Sequence, residues 1–253
     1  MKRIQIFFYG IAMFAFNACQ KEFTNDQPTG TIKFTFTNTV KGIPVQLNTG
    51  IYTNNFGEQY NISKFKYYVS HPGLSNTSST ATNKDYYLID ENIASSKSIS
   101  FDVPVGSYTA IKFLLGVDSA RNVSGAQTGA LDPLNDMFWT WNSGYIMAKM
   151  EGTSPQSTII NNKVEYHIGG FAGANSVLKN ISIVVPVSSL NMIDIREGKI
   201  SEVFIEADFD KWWQGSYDLK IADVPSVTMP GTLAKSISDN YANMFSITDV
   251  QNY

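Results

Sequence analysis

Few side chains in this chain can do chemistry. Its 253 residues include two histidines, His71 and His167, and one cysteine, Cys19. Those counts exclude a zinc site of three histidines, a cysteine-rich structural zinc site, an iron–sulfur cluster and an intrachain disulfide. Any metal must take at most two imidazoles and complete its shell with carboxylates, carbonyls, methionine sulfur or a modified side chain. The densest run of suitable groups lies at residues 116–151, with Met137, Trp139 and Trp141 near its centre and Met147, Met150 and Glu151 at its end. Trp139 and Trp141 stand at i and i+2, so in a strand they share one side, as a core aromatic pair or as the edge of a site. Intact indole offers only an N–H donor, whereas ring opening would leave an aryl amine able to coordinate. Soft Cu(I) accepts imidazole nitrogen and thioether sulfur. Met137, Met147 or Met150 could therefore complete a shell begun at His167, if the fold brings them there.

Each of these residues also has a purely structural reading. His167, just before Gly169-Gly170, could be a hydrogen-bonded residue at a tight turn, and His71, before Pro72, reads as an exposed turn residue. Asp132, Asn135 and Asp136 lack the spacing of a calcium loop, so Asp132-Pro133 reads as turn capping. Asp118 and Glu151 read as carboxylates that fix loops. Trp212-Trp213, beside Asp210 and Lys211, reads as a sugar-stacking platform or an interface edge. Hydrolase chemistry finds no Gly-x-Ser-x-Gly elbow, and Gly169-Gly170-Phe171-Ala172-Gly173 lacks the lysine and context of a phosphate loop. With Lys+Arg 19 against Asp+Glu 22, no basic surplus exists to hold a nucleic-acid backbone.

The elements that must position these groups are strands. Ile32-Lys33-Phe34-Thr35-Phe36-Thr37 alternates with period two. Similar runs lie near residues 62–70, 85–90, 97–103, 107–116, 143–151, 159–168, 178–187 and 199–209. Turn residues such as Pro72-Gly73, Gly125, Gly152 and Glu197-Gly198 punctuate them, and residues 74–84, rich in Asn, Ser and Thr, read as a long exposed loop. The pattern predicts an all-β fold, an antiparallel β-sandwich with a short C-terminal helix. That helix carries Leu233, Ile237, Tyr241 and Met244/Phe245 on one stripe, with Thr232 as N-cap, and residues 188–192 could open another. No domain boundary is visible after residue 30.

The N-terminus reads as an export signal. Lys2 and Arg3 precede an apolar run, residues 4–16, too short to span a bilayer comfortably. It ends in Phe16-Asn17-Ala18-Cys19, which resembles a bacterial lipobox with Cys19 as the lipidated first residue of the mature protein. Residues 1–18 would then be a lipoprotein signal peptide, 19–30 a lipid-anchored tether and 31–253 the domain. Gln20-Lys21-Glu22 resembles the outer-face export tag of some Bacteroidetes lipoproteins. The expected location is the outer membrane, on its periplasmic or cell-surface face. Removing Lys2 and Arg3 takes the net charge from −3 to about −5.

Leu131-Asp132-Pro133, Met137-Phe138-Trp139-Thr140-Trp141-Asn142-Ser143-Gly144-Tyr145 and Lys149-x-Glu151-Gly152 resemble the MbnP-like copper-binding domain. So do Tyr166-His167-Ile168-Gly169-Gly170 and the segment from Ser238 to Phe245. The resemblance implies an extracytoplasmic β-sandwich that binds or handles copper without catalysis of its own. It implies His167 as the imidazole ligand. It further implies Trp139 or Trp141 as the residue that a partner dihaem peroxidase-like enzyme oxidises to kynurenine; Met137, two residues before Trp139, is the metal-adjacent thioether that the residues themselves suggest. Where a Trp-x-His pair would supply a local second imidazole, this chain has Trp139-Thr140-Trp141. The competing expectation is a metal-free surface binding or adhesion module for a glycan or protein ligand, motivated by Trp212-Trp213 and the 74–84 loop.

Overall fold

The computed structural model describes residues 27–125, 127–139, 144–186 and 192–253. The leader, Cys19, Trp141 and most of the helix expected at 188–192 lie outside the described residues. Ten strands of five or more residues build the described fold. They are β1 (Thr29–Val40), β2 (Lys64–Ser75), β3 (Tyr86–Asp90), β4 (Ser98–Pro104) and β5 (Ala110–Leu115), then β6 (Gly144–Thr153), β7 (Lys163–Gly169), β8 (Lys179–Val184), β9 (Ile200–Asp208) and β10 (Phe245–Asn252). A short helix α1 (Ser119–Asn122) follows β5, and α2 (Thr232–Tyr241) precedes β10.

One sheet runs β10–β9–β1, with β4 also paired to β1; the other runs β8–β5–β2–β6–β7, with β3 also paired to β2. The ladders are antiparallel except between β1 and β9 and between β7 and Ser226–Val227. Alternation explains how the sheets meet. Ile32, Phe34 and Phe36 of β1 point inward, while Thr31 and Thr35 on the other face bond to Asp102 and Glu202. Phe36 meets Tyr67 and Phe113 across the sandwich at ring-centre distances of 6.2 and 6.3 Å, and Phe245 meets Phe113 edge-on at 5.0 Å. The all-β sandwich expected from the sequence is the observed fold.

Several local expectations need correction. The C-terminal helix does not end the chain: Gly231 occupies its N-cap position, Thr232 is its first residue, and Phe245 opens β10. Pro72-Gly73 is not a turn between strands but lies inside β2, at a bulge against β5 where the register slips between Lys112 and Leu114. A bulge tolerates the missing N–H of a proline that an unbroken central ladder would not. The supposed 74–84 loop is mostly a hairpin, because Thr80–Thr82 pairs back onto Gly73–Ser75. Trp212 and Trp213 form neither platform nor edge. Both are fully buried, with indole N–H groups donating to Met244 Sδ (3.4 Å) and Tyr60 Oη (3.0 Å). Adjacent residues share an interior here because the chain turns in a 3-10 helix, Phe209–Trp212, rather than running as a strand.

The segment 116–139 covers part of the outer face of the β2–β6 sheet. Tyr68 and Tyr145 project from that face into it, donating to the carbonyls of Ala130 (3.1 Å) and Leu131 (2.7 Å). Asp132 caps the turn as expected, accepting from the Leu134 amide at 2.9 Å. This cover buries the candidate site's inner edge.

Candidate metal centre

The centre is built on neighbouring strands whose outward positions are charged. Across the ladders Lys66 pairs with Lys149 and Lys149 with His167; one step along, Lys64 pairs with Glu151 and Glu151 with Glu165. The alternate row, Phe65, Met150 and Tyr166, points into the core and is fully buried. A strand's two-residue period therefore sorts one three-strand surface into a polar outer face and an apolar inner one.

On the outer face the side chains converge. His167 Nε2 lies 2.9 Å from Glu151 Oε1. One ligating atom from each of Glu151, Glu165 and His167 falls within 4.8 Å of the others. Lys64 reaches Glu151 at 3.2 Å and Asp136 at 2.9 Å, and Lys149 reaches Asp136 Oδ2 at 3.0 Å. Lys149 also donates to the Asp136 carbonyl and is almost wholly buried, with 2% of its side chain exposed. Lys163 pairs with Glu165 at 2.6 Å.

These neighbours set the charge states. The hydrogen bond from His167, helped by Lys64 and Lys149, outweighs burial and draws Glu151 down to about 2. Burial pulls the Lys149 ammonium below its ordinary value, against the pull of Asp136 and Glu151. Partial burial would raise Asp136, but its bonds to Lys64 and Lys149 hold it below the usual carboxylate range. With Glu151 ionised and acceptor-only, His167 Nε2 is the donor in their bond; in the neutral ring Nδ1 then carries the lone pair. A carboxylate that orients an imidazole in this way is a frequent second partner in metal sites. Alternatively the Nε2 proton leaves and all three residues bind directly, after small side-chain rotations that bring the oxygens and nitrogen to bonding distance.

Trp139 lies on the same face. An added Cβ at Gly169 would fall 2.4 Å from Trp139 Cζ3 and 2.6 Å from Cη2, so the indole occupies the space above that glycine. Gly169 and His167 are two residues apart on β7, and the register slip beside them puts the extra residue on β6, between Ile146 and Ala148. β7 itself keeps its two-residue period, which places them on one face at roughly 7 Å between Cα atoms. Trp139, Tyr145, Phe171 and Pro230 line a surface cavity of ≈ 200 Å³.

The thioethers are elsewhere. Met137, Met147 and Met150 are fully buried. Met150 lies on the opposite sheet face from His167, and the Met147 sulfur accepts the Val117 amide at 3.1 Å. The expectation that methionine sulfur completes the shell fails for these two on alternation and packing, and Met137 is enclosed in the core. Glu151 does not fix a loop through backbone amides; Glu165 and Lys64 were not singled out from the sequence, and Lys149 entered only within the family motif. Their signal was parity: Lys149-x-Glu151 and Glu165-x-His167 put pairs of functional groups on one face of adjacent strands. The other histidine, His71, is not an exposed turn residue either. It is half-buried at the β2 bulge, against Tyr86 and Asp118.

A β-sandwich carrying one imidazole and two carboxylates at near-ligand spacing on an outer sheet face, beside a packed indole, has the donor set of a metal-binding domain. The MbnP family pattern matches residues 29–230, and the chain belongs to the MbnP family. Among solved structures it is similar to MbnP from Methylosinus trichosporium, at 14% identity over 70% of this chain and 76% of that one, with a TM-score of 0.47. Among curated proteins none matches.

Proposed function

We propose that this chain is an exported, lipid-anchored copper-binding protein, held to the outer membrane through Cys19, and not itself an enzyme. His167 is its imidazole ligand, and Glu151 and Glu165 supply or orient the remaining donors. The observation that carries this reading is the convergence of those three side chains on one sheet face. The donors suit copper in its divalent state: one imidazole and two carboxylates are borderline-to-hard ligands, whereas Cu(I) would call for the thioethers that are packed in the core. The positive charge of Lys64 and Lys149 already neutralises Glu151 and Asp136, so an arriving cation competes with two ammonium groups for the same oxygens.

Among the described residues Trp139 is the tryptophan that packs on this sheet face, against Gly169, and it is the target we assign to a dihaem peroxidase-like partner. Trp141 is the other candidate, and its position lies outside the described residues. Copper bound at this position would supply a redox-active or transferable ion; the protein's own residues position the donors at a partly exposed surface. No helix among the described residues is long and apolar enough to cross a membrane. The reading therefore places membrane attachment on the lipid.

The test is copper content of protein purified from its native membrane, set beside a His167→Ala variant. A ratio near one copper per chain is expected in the parent and none in the variant, with the circular dichroism spectrum unchanged. Equal copper in both proteins would remove His167 from the site. A mass shift on the Trp139–Trp141 peptide, present only in native material, would identify the oxidised residue.

A further inference from the structure

We propose that His71, Tyr86 and Asp118 form a second metal site, a separate imidazole–phenolate–carboxylate cluster that takes Cu(II). The three come from different elements: β2, β3 and the N-cap of α1. His71 Nε2 stands 3.0 Å from Tyr86 Oη and 3.7 Å from Asp118 Oδ2, and the Tyr86 hydroxyl donates to that same Oδ2. Three potential ligand atoms of three chemical types therefore converge on one small triangle. Separations of roughly 3 to 4 Å are those of donors around an ion with bonds near 2 Å.

The surroundings aim these atoms. Asp118 caps α1 through its other oxygen, Oδ1, which accepts the Arg121 amide at 3.1 Å, so Oδ2 is left to the cluster. His71 holds a left-handed backbone, φ 51°, at the β2 bulge. A non-glycine residue in that region is strained, and bulges re-aim side chains out of the regular ladder. The Arg121 guanidinium sits 5.5 Å from the Tyr86 ring centre. The cluster is also reachable: the His71 and Asp118 side chains are 34% and 25% exposed. His71 opens on a surface cavity of ≈ 420 Å³, and Tyr86 with Arg121 on another of ≈ 380 Å³.

Charge and protons balance for a divalent ion. Without metal, two protons bridge the cluster, one from His71 to Tyr86 and one from Tyr86 to Asp118. On binding, the neutral imidazole exchanges tautomer through solvent, giving up the Nε2 proton and taking one on Nδ1, so that Nε2 coordinates, while the phenol proton passes to solvent. One carboxylate and one phenolate then offset the two positive charges. Nitrogen and oxygen donors of this kind bind Cu(II) ahead of the other divalent first-row ions.

The experiment uses full-length protein carrying His167→Ala, so that the centre on β7 is removed and the two sites fail independently. Titration with a Cu(II) salt is expected to produce a visible phenolate-to-copper charge-transfer band that saturates near one equivalent. Adding Tyr86→Phe should abolish the band while leaving the fold intact by circular dichroism. Asp118→Asn, which preserves the helix cap because asparagine caps as well as aspartate, should weaken Cu(II) binding at least tenfold. Absence of the band in the His167→Ala protein, its survival in Tyr86→Phe, or unchanged affinity in Asp118→Asn would overturn the proposal.

Discussion

His167 belongs to β7, whose ladder with β6 runs unbroken from Ala148 to Thr153, whereas His71 stands where β2 bulges against β5. Around His167 the partners arrive by strand geometry alone: Lys149 and Glu151 from the paired strand, Glu165 from its own. Around His71 they come from β3 and from a helix cap 47 residues downstream in sequence. The first environment is thick with charge and partly roofed by the 116–139 segment. The second is a compact chain of hydrogen bonds open to solvent. A regular ladder thus builds a site by repetition, with its electrostatics distributed over several pairs. A bulge builds one by breaking repetition, and spends backbone strain to do so.

The largest effect should come from the charge shared in the ladder. Glu151 accepts from His167 and faces Lys64 and the buried Lys149. Glu151→Gln keeps the shape but removes the negative charge, leaving Asp136 as the main counter-charge to Lys149. The expected loss is about 3 kcal/mol in urea unfolding at pH 7, the low end for breaking a buried pair. The pH dependence follows from the same group. Its folded value, about 2, lies below the ordinary carboxylate value, so the unfolded chain takes up a proton first as acid is added. Its contribution is therefore full above about pH 4.5 and disappears as pH falls through about 2. The parent and Glu151→Gln stability curves should converge across that interval. Parallel curves would mean that the ladder's charges do not stabilise it.

A smaller effect should come from Gly169→Ala. A methyl group there overlaps the Trp139 ring and approaches the Tyr145 carbonyl at 2.9 Å. Overpacking of this kind costs about 1–3 kcal/mol, or roughly 2–12 °C in melting temperature for a domain of this size. Tryptophan fluorescence should shift to the red as the indole is displaced. An unchanged spectrum would separate Trp139 from the face that carries His167.

The two regions also differ in how far the sequence disclosed them. Period-two alternation located nine strands, because half-buried strands write their inside and outside directly into residue order. It missed β10. The bulge between Ile247 and Asp249, opposite Phe204 and Ile205, breaks the alternation, and Phe245 continues the helical stripe of Ile237 and Tyr241. His167 was legible as a candidate, and Glu151 and Glu165 are readable in retrospect by parity across one hairpin. Asp136 was not, since its pairing with Lys64 spans 72 residues and depends on how the 116–139 segment folds over the sheet. The cluster at His71 was less legible still: His-Pro ordinarily signals a turn, and nothing local reveals that β2 continues through it.

The smallest expected effect tests that last point. If His71 occupies a strained left-handed position, residues should be ranked there by backbone tolerance as well as by side-chain contact. Asparagine enters that region more readily than most residues, and β-branched valine is an outlier there. Without added metal, His71→Asn and His71→Val both lose the bond to Tyr86, so their difference isolates the backbone term. We expect valine to be the less stable by about 1–2 kcal/mol, roughly 2–8 °C in melting temperature. The same pair of substitutions at His167, in a regular strand, should reverse the order, since valine favours strands and asparagine does not. Equal stabilities at His71 would mean that the bulge imposes no strain, and the contrast between ladder and bulge would rest on charge alone.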